Sequence, residues 1–180
     1  MVSITESVIR DQFHYLAAAL RQPLPRVTGR VLVFTGCGTS YYLAQILACA
    51  SNLAGQPALA VPGAEWVQTP GAYLTGLQGC TVIGLSRSGT TTETVQALRA
   101  ARKRGLPTVA LSSENGATIL TKADQPIYLP TDPREGIVMT VSANLMLLAG
   151  LRLCGVRLSA ADLEAAADVL SRWTGGRGRC

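Results

Sequence analysis

The sequence predicts an α/β protein, a three-layer, doubly wound sheet of about five parallel strands with helices on both faces. Three observations lead to this fold. Short apolar runs alternate along the chain with longer segments in which apolar residues recur at helical spacing. Glycine or proline separates many of these segments. Two loops rich in glycine and hydroxyl side chains follow apolar runs, where a sheet of this kind binds its ligands.

The elements follow from these patterns in order. Apolar residues at helical spacing predict one amphipathic helix from Ile4 to Arg21, which Pro23 stops. We expect this helix to occupy residues 1–26, the sheet domain residues 27–174, and a flexible tail or the start of a linker residues 175–180. Within the domain the patterns predict strands at 31–34, 58–61, 81–85, 108–111 and 126–129, and helices at 40–53, 65–67, 90–104, 117–121, 137–152 and 159–173.

Composition limits the classes of protein that the chain can belong to. A hydrophobic fraction of 48% with 15% charged residues indicates a globular domain, and no apolar run is long enough to span a membrane. The N-terminus has no apolar signal region, so the cytoplasm is the expected location. The net charge of +5 is dispersed and no nucleic-acid motif accompanies it, which favours small anionic ligands.

The cysteines and the single histidine predict neither disulfides nor a metal site. The five cysteines are scattered without a C-x-x-C pair, and His14 is the only histidine. Free thiols are therefore expected, with Cys49 in the apolar core of its helix. His14 has no partner visible in the sequence, and we expect it to be structural.

The clearest chemical signal is the stretch from Thr81 to Glu93. Its strand ends in a row of hydroxyl residues, and a helical pattern follows at once. Thr90 and Glu93 have the spacing of a capping box, which predicts that the helix begins there. Glycine, several hydroxyls and the unpaired N–H groups of a first helical turn form a binding site for a phosphate dianion.

Other phosphate and nucleophile motifs do not fit. The loop Gly36-Cys-Gly38 begins like a dinucleotide-binding motif, but its third glycine position is Tyr41 and the expected acidic residue is missing. The Gly-Lys-Ser/Thr of a Walker A loop is absent. A G-x-S-x-G nucleophile elbow is absent as well.

Together, Gly36-Cys-Gly-Thr-Ser40, Ser86-Arg-Ser-Gly-Thr-Thr91 and Arg134-Glu135 resemble the sugar-isomerase (SIS) domain family over residues 27–152. The resemblance is greatest to the first such domain in the isomerase part of glucosamine-6-phosphate synthase, and it extends to ketose–aldose isomerases and aminosugar-phosphate deaminases. It implies a flavodoxin-like fold without cofactor or metal, binding a hexose or aminohexose 6-phosphate. The implied phosphosugar-binding residues are Gly38, Thr39, Ser40, Ser86, Arg87, Ser88, Gly89 and Thr91, with the phosphate on Ser86, Ser88 and Thr91.

The resemblance also implies a reaction through an enediol(ate), in which a carboxylate moves a proton between adjacent carbons. Glu135 matches the acidic position of the family and is the candidate catalytic residue. A charge at a helix N-terminus, stabilised by the helix dipole, explains it equally well. Glu65 is a weaker candidate for the same role.

The chain departs from the family in ways that leave its function open. Val141 replaces a common basic residue, and Ala143-Asn144 replace an aromatic residue and a threonine. Only one copy of the strand and loop pattern is present, so a second domain or subunit is expected to complete the site. We expect at least a homodimer, with the helix from Ile137 and the N-terminal helix as interface surfaces. The alternatives are a phosphosugar-sensing regulatory module without chemistry and a purely structural domain.

Overall fold

The structure, a computed structural model, describes residues 3–74 and 79–175 and confirms the predicted fold. Five parallel strands form one sheet in the order β2-β1-β3-β4-β5. β1, β3 and β4 are buried along their whole length, as expected for strands covered on both faces. The strands are β1 (Leu32–Gly36), β2 (Ala58–Pro62), β3 (Thr81–Leu85), β4 (Thr108–Ser112) and β5 (Gln125–Tyr128).

Helices cover both faces of this sheet. The described helices are α1 (Ile4–Asp11), α2 (Phe13–Arg21), α3 (Thr39–Leu53), α4 (Gly63–Gln68), α5 (Gly71–Leu74), α6 (Thr92–Lys103), α7 (Thr118–Lys122), α8 (Val141–Leu153) and α9 (Ala160–Gly175). One apolar core joins α2, α3 and α8, with Leu16, Leu47 and Met146 at its centre. The opposite core joins α4, α6 and α7 around Trp66 and Leu98. These two cores and the sheet between them form the three layers.

The N-terminal segment differs from the single predicted helix. α1 and α2 are separate helices that meet at Gln12, whose backbone keeps a right-handed helical conformation. The side chain of Gln12 is buried, and its amide oxygen accepts a 2.6 Å hydrogen bond from Asn144 of α8. Both helices also reach the core, through Val8 of α1 and Leu16 of α2.

Two predictions about helices are wrong. The last core helix, α8, begins at Val141 rather than at Ile137, and Ile137 is 93% exposed. The Glu135 carboxylate accepts hydrogen bonds from the N–H groups of Thr140 and Ser142, so the first turn of α8 starts at that point. Cys49 was expected in the core, but it lies on the exposed side of α3. A cysteine within an apolar helical pattern can lie on either side of the helix, and the pattern does not show which side is buried.

The strand order places the loops of interest side by side. From β1 the chain crosses to β2 at one edge, and β3 pairs with the other side of β1. In an open parallel sheet, a crevice forms at the carboxyl ends where the strand order reverses. The loops after β1 and β3 both open into this crevice. Within residues 3–74 and 79–175, no helix is long and apolar enough to cross a membrane.

Candidate functional site

The loop after β3 folds back on itself through its hydroxyl groups. Ser86 is 2% exposed, and its Oγ lies 3.1 Å from the Oγ1 of Thr91 in a shared hydrogen bond. The N–H of Gly89 donates to the same Ser86 Oγ at 3.0 Å. The three residues therefore close a compact turn at the carboxyl end of the strand.

Gly89 makes this turn possible. Its φ of +62° lies in the left-handed region, which residues other than glycine rarely adopt. A Cβ at this position would lie 2.3 Å from the Cβ of Ala117, closer than any real contact. The Gly89 carbonyl also accepts a 2.8 Å hydrogen bond from the N–H of Ile119, which attaches the loop to α7.

The neighbouring strand β4 supports the loop from below. The hydroxyl of Ser112 donates to the Arg87 carbonyl at 3.0 Å, and the N–H of Ser113 donates to the same oxygen at 3.1 Å. The N–H of Ser86 donates to the carbonyl of Leu111. The backbone of the loop is therefore fixed before any ligand binds.

The predicted capping box of Thr90 and Glu93 is wrong. α6 begins at Thr92, and its N-cap is Thr91, whose side chain makes no capping hydrogen bond. The Thr91 hydroxyl is instead engaged by Ser86, while the Thr90 hydroxyl donates to Ser88 at 3.2 Å. The amide groups of the first turn of α6 are thus left without a capping side chain, and they carry the positive end of the helix dipole. This arrangement suits an anion better than a capping box would.

The loop after β1 has a similar design. Gly38 is the N-cap of α3, with φ +55° and no side chain to cap the helix. Its carbonyl accepts from the N–H of Tyr41 at 2.9 Å, so α3 starts immediately at Thr39. A Cβ on Gly36 would lie 2.8 Å from the Ser40 carbonyl oxygen, and glycine is therefore needed at this close approach. Thr39 is exposed at the rim, whereas Ser40 is buried beneath it.

Arg87 points away from the hydroxyl loop. Its guanidinium donates to the carbonyls of Gly136 at 2.6 Å and Ile137 at 3.2 Å. The side chain therefore links the loop after β3 to the segment before α8. No local sequence pattern indicates this contact, because the partners are 49 and 50 residues apart.

Glu135 lies in that segment and is fully engaged by the start of α8. Its carboxylate accepts from the Thr131 hydroxyl at 2.8 Å, from the Thr140 hydroxyl at 3.0 Å, and from the N–H groups of Thr140 and Ser142. Partial burial alone would raise the pKa of Glu135. The hydrogen bonds from Thr140, Thr131 and Ser142 outweigh burial and hold the pKa below its usual range. The carboxylate is therefore ionised and serves as the cap of α8.

An ion-pair network, which the sequence did not reveal, anchors the same segment. Asp132 is 2% exposed and accepts from the Arg134 guanidinium at 2.6 and 3.0 Å. Arg134 also contacts Asp11 of α1 at 2.8 Å. The hydrogen bond from Arg134 keeps the pKa of Asp132 below its usual range. The spacing of Asp132 and Arg134 is a possible sequence signal, but Asp11 is 123 residues away.

The two remaining candidates lie outside this arrangement. Glu65 is exposed on α4, and the Tyr73 hydroxyl donates a hydrogen bond to its carboxylate, which raises the pKa of Tyr73. His14 is exposed on α2 and its ring lies against that of Tyr15 in a tilted arrangement, with ring centroids 3.9 Å apart. These contacts give both side chains roles within their own part of the fold.

Comparison with known proteins identifies the family to which the chain is similar. The model of the SIS domain family matches residues 29–152. Glutamine–fructose-6-phosphate aminotransferase (isomerizing) of Halobacterium salinarum is 29% identical over 113 residues, which cover 61% of this chain and 18% of that protein. The chain thus spans about a fifth of the length of this relative.

Solved structures share the fold. Glucosamine-6-phosphate deaminase of Thermotoga maritima matches with a TM-score of 0.75 at 24% identity, over 92% of this chain and 53% of that chain. The sugar isomerase domain of the RpiR transcription factor from Sphaerobacter thermophilus matches with a TM-score of 0.66 at 22% identity, over 94% and 96% of the two chains. At these identities the likeness establishes the architecture alone.

Proposed function

The chain belongs to the SIS domain family, and from this we propose that it binds a sugar phosphate, a hexose or aminohexose 6-phosphate, at the carboxyl edge between β1 and β3. A relative, glutamine–fructose-6-phosphate aminotransferase (isomerizing), and a protein of similar structure, a glucosamine-6-phosphate deaminase, both act on such ligands by name and support this ligand class. The phosphate contacts Ser86, Ser88 and Thr91 and the first turn of α6. The sugar then extends toward the loop of Gly38, Thr39 and Ser40.

One observation carries the proposal: Ser86 and Thr91 share a hydrogen bond directly before a helix whose first turn has no capping side chain. A hydroxyl pair can turn its protons toward a phosphate oxygen without moving the backbone. The helix dipole and free N–H groups favour the dianion further. The loop therefore needs little reorganisation when the ligand binds, and this lowers the cost of binding.

The reaction class that fits this ligand is aldose–ketose isomerisation through an enediol(ate), with or without an amino group. Such a reaction needs a base that takes a proton from the carbon beside the carbonyl. Glu135 is the candidate in this chain, close to Arg87 and the phosphate loop. Its hydrogen bonds to α8 and its lowered pKa make it a weak base in the isolated domain. Turnover would then depend on a second domain or subunit that completes the site.

The engaged state of Glu135 favours a second function, phosphosugar sensing without chemistry. A domain that binds but lacks a free base reports ligand concentration through its conformation or its assembly. The sugar isomerase domain of a transcription factor with the same architecture makes this a concrete alternative. The two functions share one binding site and differ only in turnover.

Binding is tested by calorimetric titration with fructose 6-phosphate, glucosamine 6-phosphate, inorganic phosphate and unphosphorylated fructose. We expect saturable binding of the sugar phosphates and none of fructose. Ser86→Ala and Thr91→Ala should each lose about 1.5–3 kcal/mol of binding free energy, roughly 10- to 150-fold in affinity. Thr121→Ala is the matched control, because its exposed hydroxyl bonds only within α7. Unchanged affinity in Ser86→Ala and Thr91→Ala would refute the site.

Turnover is tested by incubating the protein with fructose 6-phosphate in D₂O, with and without an ammonium donor, and recording NMR spectra. An enediol(ate) exchanges the proton on the carbon beside the carbonyl, so deuterium enters the sugar even when little aldose accumulates. Exchange that Glu135→Gln abolishes would assign the base to Glu135. Saturable binding with no deuterium uptake would favour the sensing function.

A further inference from the structure

A groove opens at the amino ends of the strands, on the opposite edge of the sheet from the loops after β1 and β3. Two segments border it: residues 24–27, which precede β1, and residues 152–158, at the end of α8 and in the connection to α9. Its volume of about 510 Å³ lies within the range of roughly 300–1,000 Å³ that is usual for small-molecule sites. We call it the amino-edge groove.

The amino-edge groove concentrates positive charge. Arg26, Arg152 and Arg157 line it, and no acidic side chain of the described residues does so. Asp162 is the acidic residue closest in sequence to Arg157, but its carboxylate accepts 2.7 Å hydrogen bonds from the N–H and the hydroxyl of Ser159. The three like charges therefore share one groove without a counter-charge in it.

Two of these arginines have no structural partner. Arg26 and Arg157 are exposed, and neither side chain makes an ion pair or hydrogen bond within residues 3–74 and 79–175. Basic residues in the last turn of a helix commonly interact with the helix dipole. Arg26 and Arg157 instead lie in connecting segments, beyond the ends of α2 and α8. The fold itself thus gives no reason for the two guanidinium groups to border the same groove.

Arg152 is fixed in place by the end of α2. Its Nη1 donates to the carbonyls of Ala19 at 2.7 Å and Gln22 at 3.0 Å, and its side chain is half-buried. Its Nε and Nη2 make no hydrogen bond in the part of the chain that the structure describes. Guanidinium groups bind carboxylate and phosphate oxygens through two parallel N–H donors. The free edge of Arg152 is therefore suited to an oxyanion.

The floor between the arginines is apolar. Its residues are half-buried and pack against the core shared by α2, α3 and α8: Leu24, Val27, Leu153, Val156 and Leu158. An inorganic ion would leave this floor in contact with water, whereas an apolar group attached to the anion would cover it. Small-molecule sites characteristically combine such an apolar lining with a few polar groups that orient the ligand.

We propose that the amino-edge groove binds a small organic anion, a carboxylate or phosphate monoester with an apolar body. Arg26, Arg152 and Arg157 bind its charged group, and the apolar body lies on the floor of the groove. A sugar phosphate has no such body, so the two edges of the sheet prefer different ligands. The proposal does not depend on sugar phosphate binding.

Calorimetric titration of the full chain with naphthyl phosphate tests the ligand class. Naphthol, which has the same apolar body without the charge, and inorganic phosphate, which has the charge without the body, are the control ligands. We expect saturable binding of naphthyl phosphate, at least about tenfold tighter than either control, because it alone contacts both the arginines and the floor. Equal affinity for naphthol or for inorganic phosphate would overturn the proposed ligand class.

Arginine variants test the position of the site. Arg26→Gln and Arg157→Gln should each weaken naphthyl phosphate binding about tenfold or more, because each removes a charge-assisted hydrogen-bond donor. Arg30→Gln is the matched control, because Arg30 is also exposed before β1 but does not line the groove. Its effect should stay below about twofold, since salt screens a charge outside the site. Arg152 is left intact because it also holds the end of α2.

Three results would overturn the site. The first is the absence of saturable naphthyl phosphate binding. The second is an equal loss in Arg26→Gln, Arg157→Gln and Arg30→Gln, which would indicate a general effect of net charge. The third is a loss in Ser86→Ala that the groove variants do not share, which would place the probe in the loop after β3. Fructose 6-phosphate binding is measured separately, so failure of the groove and failure of the proposed function are distinguishable.

Discussion

The two loops at the ligand edge of the sheet use their polar groups in opposite ways. In the loop after β3, Ser86 and Thr91 bond to each other, and the first turn of α6 has no capping side chain. In the segment before α8, the Glu135 carboxylate accepts bonds from two backbone N–H groups at the start of the helix. One helix start is open to an external anion, whereas the other already holds an anion of the chain itself.

This difference separates binding from chemistry. A helix N-terminus stabilises one negative charge well, and the N–H groups that bind it are then no longer available. The start of α6 retains this capacity for a phosphate. At the start of α8 the N–H groups already bind the Glu135 carboxylate, which stays ionised and weakly basic as a result. The comparison is testable by disturbing each loop in turn.

The largest effect is expected from Gly89→Ala. The new Cβ would overlap Ala117 and force a left-handed φ on a residue with a side chain. We expect a loss of about 2–4 kcal/mol in the free energy of unfolding, from overpacking and backbone strain together. Chemical denaturation measures this loss, and calorimetric titration should show that sugar phosphate binding is lost as well.

Gly116→Ala is the matched control for this prediction. Gly116 also has a positive φ, of +68°, but a Cβ there would meet nothing within 4 Å. Backbone strain alone should cost about 1 kcal/mol. Equal losses in the two variants would show that the close packing of the loop against α7 contributes nothing.

The sequence predicted the strand and loop of the first region because its signals are local. An apolar run, a glycine and a row of hydroxyls are adjacent in the chain, and their positions specify a strand end with an anion site. The capping box was misplaced because Thr90 and Thr91 are both suitable N-cap residues. In the structure Thr91 takes that position, and its hydroxyl bonds to Ser86 within the same loop rather than capping the helix.

The second region was predicted less well because its contacts are not local. Arg134 joins Asp132 to Asp11 across 123 residues, and Arg87 reaches Gly136 across 49. The apolar pattern predicted that α8 begins at Ile137. The helix begins at Val141 instead, where its N–H groups bind the Glu135 carboxylate, and the apolar pattern gives no sign of this contact. Cys49 was likewise placed in the core because periodicity identifies a helix more reliably than its buried side.

A smaller loss of stability is expected from Glu135→Gln. The amide retains the shape of the side chain but loses the charge that interacts with the N-terminus of α8. We expect a loss of about 1–2 kcal/mol in the free energy of unfolding at neutral pH, measured by denaturation. Thr131→Val, which removes one hydroxyl donor to the same carboxylate, should have a weaker effect in the same direction.

The difference in the free energy of unfolding between the wild type and Glu135→Gln should depend on pH in a definite direction. Hydrogen bonds lower the pKa of Glu135 in the folded state, so its contribution is present above the unfolded pKa of about 4.3. The contribution is lost as pH falls through the folded pKa. The wild-type and Glu135→Gln stabilities should therefore converge at low pH, and a constant difference across the range would contradict the cap.

The smallest effect on stability is expected from Arg87→Met, which replaces the residue that joins the two regions. Its bonds to Gly136 and Ile137 are exposed, so their loss should cost only about 0.5–1 kcal/mol. Hydrogen exchange of the segment 136–140 should nevertheless become faster, because the variant removes its attachment to the loop after β3. Arg104→Met is the control, since it loses a guanidinium–carbonyl bond within α6 alone. A sugar phosphate affinity that falls less than about tenfold would support a linking role, whereas a loss near 100-fold would place Arg87 on the phosphate itself.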